Sequence, residues 1–202
     1  MTSLADTYTV FCGTRAVGSG SITTVAVAAH RALAKDPAAV LTVVCHGNGR
    51  TVDLDLRGSE AEVAQRHPAP GAPGTDAGAS DPAAPRRRGR PRLGVVAREV
   101  TLLPAHWDWL ASQPGGASVA LRKLVLQAMR AHAAPDALRR ARERTYAFMS
   151  TMAGDLPGFE EATRALFAGD AGRLAAQIAA WPPDVRQLVT TLAQPQADGE
   201  AG

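Results

Sequence analysis

Aromatic residues are scarce. Phe, Trp and Tyr together make up 4% of the 202 residues, so few large side chains are available to anchor a core. Cysteine is limited to Cys12 and Cys45, which excludes a disulfide framework. No apolar run approaches the roughly 18 residues that a membrane span needs. Met1 to Asp6 is polar and lacks both a basic start and an apolar stretch, so a secretory signal is not expected. Lysine is nearly missing: 20 of the 22 basic residues are Arg, a bias in keeping with a GC-rich genome. The five histidines are scattered, and no Cys/His spacing fits a zinc site. These absences predict a cytoplasmic protein with no metal and no cofactor.

The charge is more informative than its sum. The net value is +3, yet residues 86–144 alone carry 13 basic and 4 acidic side chains, and residues 145–202 carry 3 basic and 7 acidic ones. A basic centre beside acidic flanks points to a polyanion as partner.

The pattern predicts an α+β chain. Residues 7–66 read as a small ββαββ domain, with strands over Tyr8–Cys12, 16–22, 40–45 and 51–56, a helix over 23–34, and a short helix at 59–66. Gly47-Asn48-Gly49 supplies a hairpin turn, and Val52, Leu54 and Leu56 alternate with Thr51, Asp53 and Asp55. Residues 67–94 hold 6 of the 14 prolines and 5 of the 19 glycines. That stretch has too little apolar surface to offset its ordering entropy, so a disordered linker is expected. Residues 95–133 read as strand (Val95 to Leu102), helix from Pro104, turn, and a second helix capped by Ser118 with Leu121, Leu124, Val125 and Ala128 on one face. Trp107 and Trp109 are expected in a core. Residues 135–194 read as a bundle of short helices.

Two segments resemble nucleic-acid-binding families. Arg86, Arg87, Arg88, Gly89, Arg90, Pro91 and Arg92 resemble an AT-hook, a Gly-Arg-Pro core flanked by arginines. The resemblance implies that Arg88 to Pro91 enter an A·T-rich minor groove, where the negative potential is enhanced, while the outer arginines hold phosphates. Residues 95–132 are similar to the ribbon–helix–helix family, which implies an intertwined homodimer with paired strands in the major groove. On that alternation Thr101 faces the groove and Arg98 shares the core face. Ser118 and the first turn of the second helix would bind a phosphate, with Arg122 and Lys123 beside it. Glu99 on the groove side departs from the usual basic or polar donors of that family.

A third resemblance covers nearly the whole chain outside the linker. Gly49 to Gly58, Gly89 to Pro104, His106 to Leu110, Pro114 to Arg122 and Gly154 to Phe167 look like a bacterial family known only as domain of unknown function 2239. It implies no activity.

Catalytic signals are thin. Cys45 and His46 adjoin, but neighbours on a strand point to opposite faces, so Cys45 reads as a small buried hydrophobe. Asp53 and Asp55 share a face and read as the wet side of a hairpin. The reading is therefore a non-catalytic, dimeric, DNA-binding regulatory or accessory protein, nucleoid-associated if it binds DNA. The alternative is an adaptor or antitoxin-like module whose protein partner meets the acidic helices of 135–194. An enzyme would need a pocket that gathers Cys45, His30 or the Asp53/Asp55 pair.

Overall fold

The computed structural model describes residues 4–69, 96 and 98–196. The chain forms two compact units, one from residues 1–72 and 133–202, the other from 73–132.

The first unit is built on a three-stranded antiparallel sheet. β1 (Tyr8–Cys12) lies between β2 (Arg15–Gly20) and β3 (Leu41–Cys45). Residues of β1 point alternately to the two faces of the sheet, and both faces are covered. Val10 packs with Val43 and with Val25 and Ala29 of α1 (Ile22–Lys35). Phe11 and Val44 point the other way, into a larger cluster with Phe148, Met149, Leu166, Ile178, Val185 and Leu192. The rings of Phe11 and Phe148 stand 5.8 Å apart. The stretches 7–66 and 135–194 thus share one core.

The helices of that cluster are the C-terminal half of α4 (Gly116–Met152), α5 (Phe159–Ala168), α6 (Ala171–Gln177) and α7 (Pro183–Leu192). Their ends follow local chemistry. Ser21 caps α1, Asp170 caps α6, and Pro183 opens α7. Ser59 and Glu62 form a capping box that starts α2 (Glu60–Arg66). The Asp184 carboxylate accepts from the backbone N–H of Ala16, which ties α7 to β2.

Three expectations for the backbone are corrected. The fourth strand of the N-terminal unit does not form. Thr51 makes an isolated bridge to Val44, and Val52 N–H donates to the Val43 carbonyl, but beyond that the segment leaves β3. Its apolar residues Val52, Leu54 and Leu56 do pack inward on the smaller cluster. Its backbone is held elsewhere, because the Leu56 carbonyl pairs with the His30 ring and the Asp55 carbonyl accepts from Arg66. Second, the strand expected at Val95–Leu102 is not seen: residues 96 and 98–102 lie in no strand. β-branched residues favour extended backbone, but a strand needs an edge to pair with. Third, the two helices expected on either side of residue 134 are one helix, α4, with Pro135 inside it.

The described part of the second unit consists of the segment leading to α3 (Pro104–Ser112), α3 itself, a turn at Pro114-Gly115, and residues 116–132 of α4. Pro104 sits in the first turn of α3, as its fixed φ predicts.

Candidate nucleic-acid interface

The arginine segment Arg86 to Arg92, with Gly89 and Pro91, lies outside the described residues. The other residues proposed for DNA contact fall in the second unit. Arg98 and Thr101 precede α3 and are both exposed, as are Glu99 and Val100. An alternating inward and outward face is therefore not realised there, and Arg98 is not on a core face. Arg122 and Lys123 lie on α4 and are exposed. Ser118 is not a cap: α4 begins two residues earlier, at Gly116, and the Gly116 N–H donates to the Gln113 carbonyl. Glycines at 115 and 116, both with positive φ, make the tight turn. The Ser118 carbonyl instead accepts from the Arg122 guanidinium at 3.1 Å.

Four cations of this unit, Arg98, Arg122, Lys123 and Arg130, form no ion pair with any described residue. On α4, Lys123 and Arg130 are seven residues apart and share one side of the helix. Leu121, Leu124 and Val125 occupy the other side. That apolar side does not fill a core. Leu110 and Ala120 are buried, whereas Trp107 and Trp109 are exposed, which corrects the expectation that they pack inside. Val96, Val100, Leu103, Leu124, Val125, Leu126 and Met129 are exposed as well. A cavity of about 320 Å³ opens between α3 and α4, lined by Leu102, His106, Trp109, Leu110, Leu121 and Leu124.

Several of the catalytic candidates of the first unit have hydrogen-bond partners within the fold. Cys45 is buried. The His46 ring is buried too, and its Nε2 pairs with Thr9 Oγ1 at 2.8 Å. Burial, with the Arg144 charge nearby, pushes the His46 pKa down. Asp55 is clasped by the Arg57 guanidinium at 2.8 and 2.9 Å, with Arg66 at 3.6 Å. Hydrogen bonds from Arg57 hold its carboxyl well below the usual carboxylate range. Asp53 is exposed.

Sequence reasoning did not single out Arg144, which is 7% exposed. Its Nε donates to the Leu192 carbonyl at 2.8 Å, and a terminal nitrogen donates to the Gln194 carbonyl. The guanidinium thus satisfies carbonyls at the C-terminal end of α7, where the helix dipole favours a cation. Only the distant position of Leu192 in the fold makes this arginine structural, and no local pattern announces it. The Ser59-x-x-Glu62 capping box, in contrast, is a local pattern, although the sequence reading gave only a short helix at 59–66 there.

The family model described as uncharacterized protein conserved in bacteria (DUF2239) matches residues 7–193. No curated protein and no solved structure matches the chain. Among the described residues, no helix is long and apolar enough to cross a membrane.

Proposed function

The chain belongs to this family of uncharacterized bacterial proteins, and, since membership carries no activity, we propose from its own residues that it is a non-catalytic DNA-binding protein, regulatory or accessory. The observation that carries the reading is the unpaired positive charge of the second unit. Arg98, Arg122, Lys123 and Arg130 lie within a stretch, 86–144, that holds 13 basic and 4 acidic residues. Exposed cations without carboxylate partners are what a phosphate backbone neutralises, with release of its counterions. The AT-hook-like Arg88, Gly89, Arg90 and Pro91 would give a preference for narrow A·T-rich minor grooves. Arg86, Arg87, Arg92, Arg122 and Lys123 would add contacts to phosphates, which position without reading sequence.

Titration of A·T-rich and G·C-rich duplexes across a salt series tests this. The expected result is binding at low salt that weakens steeply as salt rises, tighter on A·T-rich duplex. Replacing Arg88 and Arg90 by Ala should remove that preference and weaken binding. Absence of binding at low salt would overturn the proposal. Equal affinity for both duplexes would remove the minor-groove part. An adaptor that meets a protein partner through residues 135–194 would lose nothing with Arg88→Ala and Arg90→Ala.

A further inference from the structure

The outer edge of β3 opens onto a cleft. The Gly13 N–H donates to the Val40 carbonyl, and the His46 N–H to the Thr7 carbonyl. In this register the even-numbered residues of β3 turn their main-chain groups toward β1, and Leu41, Val43 and Cys45 turn theirs outward. The segment after the turn begins to pair with that outward edge. The Cys45 N–H donates to the Arg50 carbonyl, and the Val43 carbonyl accepts from the Val52 N–H. There the two arms part. The next pairings, the Val43 N–H with the Val52 carbonyl and Leu41 with Leu54, are not made. Among the described residues, the Val43 N–H and the main-chain groups of Leu41, Asp53 and Leu54 have no hydrogen-bond partner. Val43 is nonetheless a buried residue, where an unpaired N–H is rare. Between the arms lies a cavity of about 470 Å³, lined by Leu41, Thr42 and Val43 on one side and by residues 51–54 on the other.

We propose that this cleft takes an extended peptide segment of another protein, one in which apolar residues alternate with basic ones. Such a segment enters as a strand between the arms, and its main chain meets unpaired donors and acceptors on both sides, as in strand addition to a sheet edge. A purely apolar ligand would leave those groups unmet, at a cost. The two faces of the cleft set the alternation. Leu41, Leu54 and Leu56 pack on the α1 side, against the cluster of Val10 and Val25, and Leu33 of α1 also lines the cleft. Every second side chain of an inserted strand points to that face and is apolar. The other side chains point to the face of Thr42 and of Thr51, the bridge partner of Val44, with Asp53 two residues further on. Asp53 is the one charged residue that lines the cleft. It is exposed and forms no ion pair among the described residues. A Lys or Arg of the peptide is its complement. The site lies wholly in the first unit and stands whether or not the chain binds DNA.

Amide spectra of the isotope-labelled full chain decide the matter, with the blocked peptide Val-Lys-Val-Lys-Val as probe. Titration should move the signals of Leu41, Val43 and Asp53 and slow hydrogen exchange at the Leu41 and Val43 N–H. The peptide Val-Glu-Val-Glu-Val should bind about fivefold more weakly at low salt, since Asp53 is exposed. Asp53→Asn should level the two affinities, and Asp53→Lys should reverse their order, with the helical circular dichroism kept in both variants. N-methylation of the Val amides of the Lys peptide removes the donors along one of its edges and should abolish binding. No movement at Leu41 and Val43 with millimolar peptide overturns the proposal. So does an N-methylated peptide that binds as well as its parent, which would make the cleft merely apolar, or an order of affinities that Asp53→Lys leaves unchanged. If the chain has twice its mass and the Leu41 and Val43 N–H groups already exchange slowly before peptide is added, a second copy fills the cleft and the proposal falls.

Discussion

Gly49 and Gly13 both adopt left-handed backbone, with φ of +70° and +57°, yet replacing them by Ala should have different consequences. An L-residue in that region costs about 1–2 kcal/mol, whichever of the two positions it occupies. Around Gly13 a β-carbon would meet nothing within 4 Å, so Gly13→Ala should cost that conformational amount alone. A β-carbon on Gly49 would lie 2.7 Å from the Arg144 carbonyl carbon and nearer still to its oxygen. That atom belongs to the backbone of α4 and cannot swing aside. The turn must withdraw from α4, loosening the bonds from the Gly49 N–H to the Cys45 carbonyl and from the Cys45 N–H to the Arg50 carbonyl. Overpacking costs of about 1–3 kcal/mol then add to the conformational cost. Gly49→Ala should therefore lose about 1–3 kcal/mol more than Gly13→Ala. With a urea dependence near 2–3 kcal/mol per molar, that places their midpoints roughly 1 M apart. Urea denaturation followed by the fluorescence of Trp181, buried in the same unit, measures it. Equal losses from the two substitutions would refute the close approach of the turn to α4.

Two further outcomes follow from polar groups of the first unit. Burial lowers the pKa of His46 in the folded state, so below about pH 6.5 the unfolded chain takes up a proton that the folded chain refuses. Stability should therefore fall as pH drops through that value, by up to about 1.4 kcal/mol per pH unit, until the folded pKa is reached. His46→Gln should flatten this part of the pH profile, read by thermal unfolding between pH 7 and pH 5. Ser59→Ala removes the side-chain half of the capping box at α2, in which the Ser59 hydroxyl accepts from the Glu62 N–H, and leaves the backbone N–H of residue 59 that donates to the Glu62 carboxylate at 2.7 Å. A loss of about 1 kcal/mol is expected by chemical denaturation; no loss would mean that α2 does not depend on its cap.

Periodicity in the sequence told which way side chains face more reliably than what the backbone pairs with. The strand Tyr8–Cys12 and the α7 stripe of Val185, Leu188, Val189 and Leu192 appear as read, all four of the latter buried. Over 51–56 the alternation was real, since Val52, Leu54 and Leu56 do pack inward. Alternation cannot say whether a neighbouring strand accepts the hydrogen bonds, and here helix and loop groups take them. The reading ended one segment at residue 133 and began the next at 135, beside Pro135, and a proline does cost an interior helix bond. Local sequence does not weigh that cost against the long run of helix formers around it. The stripe of Leu121, Leu124 and Val125 was read as facing a core, and helical spacing is the same whether the covering partner is intramolecular or absent. The candidate site was legible in charge but not in geometry: Arg122 and Lys123 are exposed on a helix, whereas Ser118 falls inside the first turn.

The DNA-binding proposal makes a demand on α4 that is testable by itself. Lys123 and Arg130 share one side of that helix, and neither forms an ion pair with a described residue. Each phosphate contact in duplex DNA contributes about 0.9 to the slope of log affinity against log salt. Replacing both residues by Ala would remove up to two contacts, and the slope should fall in magnitude by up to about 1.8. An unchanged slope would show that these cations do not meet phosphate and would confine the DNA contact to the arginine segment.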